Sequence, residues 1–397
     1  MKNIVEMTAC KCDNLVNRQN IAVVIPVYNA AKVLRPCIRS VLNQKFSNIS
    51  LILVDDGSTD GSGIICDSFA ESDKRIHVIH KKNAGAVEAR KTGVFSEVAQ
   101  GAKYITFCDA DDMLSPDALN QLYKRAEQFN ADMVCGRVEK IWKFFHIPQR
   151  YQPPCFQFND VRGEKTNKIA NVEASAGLNG VVKVYSHQDI IEKLYISCFG
   201  ISDFPVSLYA KLYRTELITK ASEGKTVVHF MGEDLTVTLK VMPEAKKLVI
   251  IPAIVYQYRF GGGTSRFMPS MLEDFLSLYT YKKEFADRYA MPYDVEYLMN
   301  IELMNVLQSW LISYVRDGRH DAAQLIEEIK RVCALCLIKE SAAMLCNRND
   351  SGKQKSKAQL VAIAVNTSNY EKLEQIVQEQ IKSSKWMHII KKILLSL

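Results

Sequence analysis

The 397-residue chain is short of glycine (18) and proline (11), and no part of it is compositionally biased or repeated. Low-complexity disorder, collagen-like repetition and Pro-rich linkers are thereby excluded. No apolar run reaches the ~18 residues that a membrane-spanning helix needs, and no secretory signal is recognisable at the start. Neither glycine-rich phosphate loop is present: Gly61-Ser62-Gly63 lacks a third glycine, and nothing ends in Gly-Lys-Thr. Cysteine is not scarce, at 11 residues, but its contexts argue against a disulfide scaffold. Cys37, Cys66, Cys108 and Cys135 fall inside periodic apolar segments, where cysteine behaves as a small hydrophobe. Cys10-x-Cys12 and Cys333-x-x-Cys336 lack a second ligand pair at zinc spacing. An odd cysteine count without a signal peptide points to a reducing, cytoplasmic setting.

What is present is ordinary globular material, 48% hydrophobic and 24% charged, enough for a sizeable core. The net charge of +7 is uneven, with eight lysines against three glutamates between Ser351 and Leu397. After a polar leader at 1–20, strands and helices alternate. Ile21–Ile25 is a strand-length apolar run stopped by Pro26, with Asn29 placed to cap the next helix. Leu34, Ile38, Val41 and Leu42 recur at helical spacing. Leu51–Val54 is a second strand, followed by a turn and by Ile64, Ile65 and Phe69 on a helix. Ile76–Ile79 is a third strand, Ala84–Val98 a helix with Gly93 as its weak point, and Tyr104–Cys108 a fourth strand. Ser115-Pro116 starts a helix carrying Leu119, Leu122, Ala126 and Phe129. Such alternation predicts an α/β fold with a mostly parallel central sheet flanked by helices. The expected divisions are 21–125, 126–268 and a mainly helical C-terminal region, 269–397.

In parallel sheets ligands bind beyond the carboxyl ends of the strands. Those ends here carry Pro26-Val27-Tyr28-Asn29, Asp55-Asp56 and Asp109-Ala110-Asp111-Asp112. Asp109 and Asp111, alternating as the chain leaves its strand, suit a hard cation such as Mn²⁺ or Mg²⁺ with a diphosphate completing its shell; taken alone they also fit a capping turn. Asp56 can accept from a base N–H, or form an Asx turn. Glu233-Asp234 opens a helix, where a carboxylate can act as general base or simply complement the helix dipole. Arg259 and Arg266 flank the triple glycine 261–263, as a closing loop over a diphosphate would, or as a solvated surface loop.

Taken in order, seven blocks spread over residues 21–266 resemble the family 2 glycosyltransferases of the GT-A fold, especially those of bacterial capsule, exopolysaccharide and O-antigen synthesis. They are Val24–Asn29, Leu53–Gly61, Asn83–Gly93, Phe107–Asp112 with the Pro116–Leu119 that follows, Lys211–Arg214, Gly232–Asp234 and Tyr256–Ser265. The resemblance implies a GT-A (Rossmann-like) domain and an inverting transfer of sugar from a nucleotide-sugar, a UDP-sugar above all, to an acceptor hydroxyl. It implies that Pro26, Val27, Tyr28, Asn29, Asp56, Arg90, Asp109 and Ala110 hold the nucleotide. Asp111, with Asp109, would hold the divalent metal. Asp234 would be the catalytic base, with Glu233 orienting or contacting the acceptor, and Arg259 and Arg266 would clamp the diphosphate. No histidine lies between Asp234 and His320, so a late histidine metal ligand is missing. The acceptor would be a saccharide or lipid-linked saccharide, and no nucleic acid is expected as partner. From Trp386 to Leu397 an amphipathic helix with flanking lysines is suited to anionic membrane at its inner face, or to packing on the domain. A haloacid-dehalogenase-like phosphatase shares an Asp-x-Asp after an apolar strand, but Asp112-Met113 stands where it has a small hydroxyl residue. A non-catalytic nucleotide-sugar-binding relative is the third reading.

Overall fold

The computed structural model describes residues 20–142, 145–150, 181–200, 204–228, 231–259, 270–289, 291–317, 322–348 and 355–394. The leader, Cys10-x-Cys12, the triple glycine and Arg266 lie outside them. So do the side chains beyond Lys382, among which falls the amphipathic face expected of the C-terminal helix.

Four parallel strands form the first half: β1 (Ile21–Val27), β2 (Ile49–Asp55), β3 (Ile76–His80) and β4 (Tyr104–Phe107), in the order β3-β2-β1-β4. Their crossovers carry α1 (Leu34–Leu42), α2 (Ser62–Ser72), α3 (Ala86–Val94) and α4 (Glu97–Gln100). Strand β1 is buried throughout except at Pro26, as a central strand covered on both faces must be. Alternation sorts its side chains: Ala22 and Val24 join the cluster that includes Ala89 and Val94 of α3, while Ile21, Val23 and Ile25 join Leu34 and Ile38 of α1.

The second half of the sheet is mixed. It comprises β5 (Met113–Leu114), α5 (Ala118–Phe129), β6 (Met133–Trp142), β7 (Phe145–Arg150), β8 (Lys183–Ser186), a helical turn α6 (His187–Asp189) continued by irregular turns to Phe199, β9 (Lys211–Arg214), α7 (Thr215–Ser222), α8 (Glu233–Glu244) and β10 (Lys247–Arg259). Strand β9 lies antiparallel between β4 and β6, and β10 runs parallel to β6. Six helices follow: α9 (Met271–Ala286), α10 (Val295–Asp317), α11 (Ala322–Cys333), α12 (Cys336–Asn347), α13 (Lys357–Asn366) and α14 (Tyr370–Leu394). Their buried residues, Leu272, Leu278, Trp310 and Val361 among them, belong to the same cluster as α3 and α8. Among the described residues no helix is long and apolar enough to cross a membrane.

Five local readings change. Asn29 does not cap α1; it takes φ 48°, and its Oδ1 accepts from Thr59 N–H at 2.9 Å, tying the β1 turn to the β2 turn. Ile64 is exposed, and the buried residues of α2 are Ser62 and Cys66. The expected helix 84–98 breaks at Ser96, whose Oγ accepts from Ala99 N–H and starts α4. Gly93 is a contact point rather than a weakness: a Cβ there would sit 2.4 Å from Val24 Cγ1, so its absence lets α3 lie close on β1. Helix α5 begins after Asp117, two residues later than Ser115-Pro116 indicates.

Candidate active site

The turns leaving β1, β2 and β4 meet along one rim. Tyr28 is exposed there, an open aromatic face at the sheet's carboxyl end. Val27 is not available as a side chain: it is fully buried, and its carbonyl accepts from Asp56 N–H at 2.8 Å. Asp56 is buried too. Its carboxylate accepts from Lys81 Nζ at 2.5 Å, Ala84 N–H at 3.0 Å and Gly85 N–H at 2.8 Å, pinning the loop from β3 to α3 against the rim. Lys81, unmarked in the sequence beyond a Lys-Lys doublet, is thus part of this turn.

The Asp109–Asp112 turn separates four neighbours by environment. The backbone of Asp109 donates to the Tyr256 hydroxyl (3.1 Å), which donates in turn to Asp112 Oδ2 (2.8 Å). Asp112 Oδ1 accepts from Arg259 N–H at 2.7 Å. Burial, and then the charge of Asp109, push the Asp112 carboxyl up to about 8. Asp112 therefore anchors the end of β10 and has no oxygen to spare. Ala110 is buried beneath the turn. Asp111 faces less protein; burial and the neighbouring Asp109 raise its carboxyl, while the Arg259 charge opposes them.

Arg90, on α3, is the junction of the site. Its guanidinium lies 2.7 Å from Asp109 Oδ1, 3.7 Å from Asp234 Oδ1 and 3.8 Å from Glu233 Oε1. Burial works against its charge, and Asp109, Asp234 and Glu233 outweigh burial, so it stays firmly protonated. This group is committed to protein carboxylates rather than standing free to hold a nucleoside.

Glu233 and Asp234 begin α8 directly after Gly232, which has φ 86° and faces Leu278 of α9. Met231 N–H donates to Asp274 Oδ2 of α9 at 3.0 Å, so a helix from the C-terminal region holds the approach to this pair. Asp234 Oδ2 accepts from Leu208 N–H at 3.1 Å. Its Oδ1, like Nε and Nη1 of Arg90, is buried without a hydrogen-bond partner among the described residues. Burial and then the Asp234 charge, eased by Arg90, push Glu233 up to about 7. Asp234 is raised as well, first by burial, with Arg90 opposing.

The structure thus gathers Asp109, Glu233 and Asp234 on Arg90, sets Asp111 and Arg259 beside them, and lines the adjoining rim with Tyr28, Asn29 and Asp56. Among the described residues no three His, Cys, Asp or Glu groups are arranged to hold a metal ion. Asp111 and the free oxygen of Asp109 still fit a hard cation that takes its other ligands from phosphate oxygens, because the Asp109 charge raises the Asp111 carboxyl and a cation there would offset it.

Residues 22–180 match the family described as Glycosyl transferase family 2, and that part of the chain is a domain of this family. It is 32% identical over 244 residues to glycosyltransferase GlyA of Streptococcus pneumoniae, covering 62% of this chain but only 31% of GlyA. It is 25% identical over 327 residues to the uncharacterized glycosyltransferase EpsJ of Bacillus subtilis, covering 81% of this chain and 85% of that one. Its fold is similar to residues 1–349 of Staphylococcus aureus TarS in complex with UDP-GlcNAc, with a TM-score of 0.61 at 14% identity over 92% of each chain. Membership of this family sets aside the phosphatase reading.

Proposed function

We propose that this chain moves a sugar from a UDP-sugar to a saccharide or lipid-linked saccharide hydroxyl, with inversion at the anomeric carbon. One observation carries the reading: Arg90 joins Asp109 of the rim to the Glu233-Asp234 pair, so the donor's phosphates and the attacking hydroxyl can share one cleft. The likeness of fold to TarS, whose structure was determined with UDP-GlcNAc, supports a UDP-sugar as donor.

In this reading Tyr28 stacks on the base, and the turn held by Asn29 and Asp56 seats the nucleoside. Mn²⁺ or Mg²⁺ on Asp111 and Asp109 would supply Lewis-acid charge to the departing diphosphate. Arg259, beside Asp111, adds positive charge at the same place. Asp234 Oδ1, an acceptor with no hydrogen-bond partner among the described residues, receives the proton of the acceptor hydroxyl as that oxygen attacks the anomeric carbon. The sugar passes through an oxocarbenium-like state, as in glycoside hydrolysis. Glu233, raised to about 7, is protonated for part of the neutral range and can donate a hydrogen bond to the acceptor. Membrane contact through the end of α14 belongs to the same proposal; flotation of full-length protein with anionic liposomes, and loss of flotation on deleting 380–397, would support it.

The test is UDP release from UDP-glucose, UDP-galactose and UDP-N-acetylglucosamine with Mn²⁺. Asp234→Asn is expected to keep UDP binding and lower turnover ~10²- to 10⁴-fold, the usual share of a positioned base. Near-normal turnover would remove Asp234 from that role, and binding without turnover in the wild type would make the chain a non-catalytic relative.

A further inference from the structure

Lys211 on β9 is 1% exposed, and among the described residues no carboxylate forms an ion pair with it. A lone interior ammonium is costly, so its surroundings call for an account. Its Nζ donates to the Ser207 carbonyl and lies 5.2 Å from the centre of the Phe204 ring. The N–H of that same peptide unit, belonging to Leu208, donates to Asp234 Oδ2 at 3.1 Å. One planar amide therefore has a cation at its oxygen and the proposed base at its hydrogen. The segment before β9 is held on either side: Tyr213 OH donates to the Leu208 carbonyl at 3.2 Å, and Thr238 Oγ1 to the Val206 carbonyl at 2.8 Å.

We infer that Lys211 is a positioning residue for Asp234, acting through the Ser207–Leu208 peptide. An ammonium at the carbonyl polarises the amide and makes its N–H a stronger donor. That donor fixes Oδ2 and leaves Oδ1, the unpartnered oxygen on the Arg90 side, to take the proton. Lys211 and Asp234 also act on one another directly through their charges, and burial lowers the Lys211 ammonium against that attraction; the other charged or titratable groups around Asp234 are Arg90, Asp109, Glu233 and Tyr213, and around Lys211 they are Cys135 and Cys198. The assignment rests on Asp234 being the base, and the test separates the two ideas.

The experiment compares wild type, Lys211→Met, Asp234→Asn and the double variant, reading UDP release from the three UDP-sugars with Mn²⁺, and UDP affinity by calorimetry. Lys211→Met should lower kcat ~10- to 100-fold with donor KM and UDP affinity unchanged, and should cost almost nothing further in the Asp234→Asn background. Lys211→Arg, which keeps the charge, should recover part of the loss. Independent losses that multiply in the double variant would overturn the relay. Near-normal turnover in Asp234→Asn alone would instead overturn the base. A second readout needs no turnover: in ¹⁵N-leucine-labelled protein the Leu208 amide proton should move upfield in Lys211→Met and in Asp234→Asn, and an unmoved signal in Lys211→Met refutes the inference. Should Lys211→Met fail to fold, Lys211→Gln takes its place in both measurements.

Discussion

Replacing Glu233 by glutamine should make the protein more stable at alkaline pH while making it a poorer catalyst. Glu233 stands at the start of α8, its carboxyl pushed from 4.5 up to about 7 by burial and by Asp234, against the pull of Arg90. A carboxyl raised on folding adds stability that is fully present below its unfolded value and is lost as pH rises through its folded value. Between pH 4.5 and pH 7, therefore, the wild type surrenders stability that the neutral amide never had to give up. At about 1.4 kcal/mol for each tenfold change, the displacement amounts to at most ~3.5 kcal/mol at pH 8.5. Urea unfolding of the two proteins in parallel at pH 5.0 and pH 8.5 reads the effect of Glu233 together with its neighbour Asp234, since the titrations away from this pair are shared. Glu233→Gln should have the higher midpoint at pH 8.5, with the gap closing at pH 5.0. Curves that stay parallel across this range would show that Glu233 is not charged at a cost in the native state.

Other perturbations probe the neighbouring parts. Arg90→Met leaves three carboxylates without their shared cation and should destabilise by about 3–5 kcal/mol, as breaking a buried pair does; chemical denaturation at pH 8 measures it. Gly93→Ala places a Cβ 2.4 Å from Val24 Cγ1, a stiff β-branched neighbour, and should cost about 1–3 kcal/mol of overpacking in the same assay. Asp111→Asn should abolish the extra thermal stabilisation that Mn²⁺ adds to bound UDP and leave any metal-free UDP shift in place.

The first half of the fold was legible because its code is local. Continuous apolar runs such as Ile21–Ile25 and Leu51–Val54 can be satisfied only in a strand buried on both faces, and helical stripes such as Leu34, Ile38 and Val41 fall between them. The antiparallel insertion of β9 between β4 and β6 was not legible, since pairing partners far apart in the chain leave no periodic trace. In the site, residue types at strand ends were readable, but their division of labour was not. Asp112 looks like its neighbours in sequence, yet the Tyr256 hydroxyl and the Arg259 N–H consume its oxygens. Arg90 read as a nucleoside contact because nothing in α3 announces three carboxylates arriving from β4 and α8. Lys211 had two visible signs, its place at the head of the Lys211–Arg214 block and its position after Ala210 at the start of a strand destined for the interior.

The grip of α9 on the segment before α8 bears on how such chains can be cut and recombined. Asp274 fastens Met231, and Leu278 fills the space that Gly232 leaves open. A fragment ending before residue 270 would keep every residue named in the transfer reaction yet lose the clamp that aims two of them. Grafting the helical portion of one relative onto the sheet of another would meet the same obstacle, unless the clamp were carried across with it.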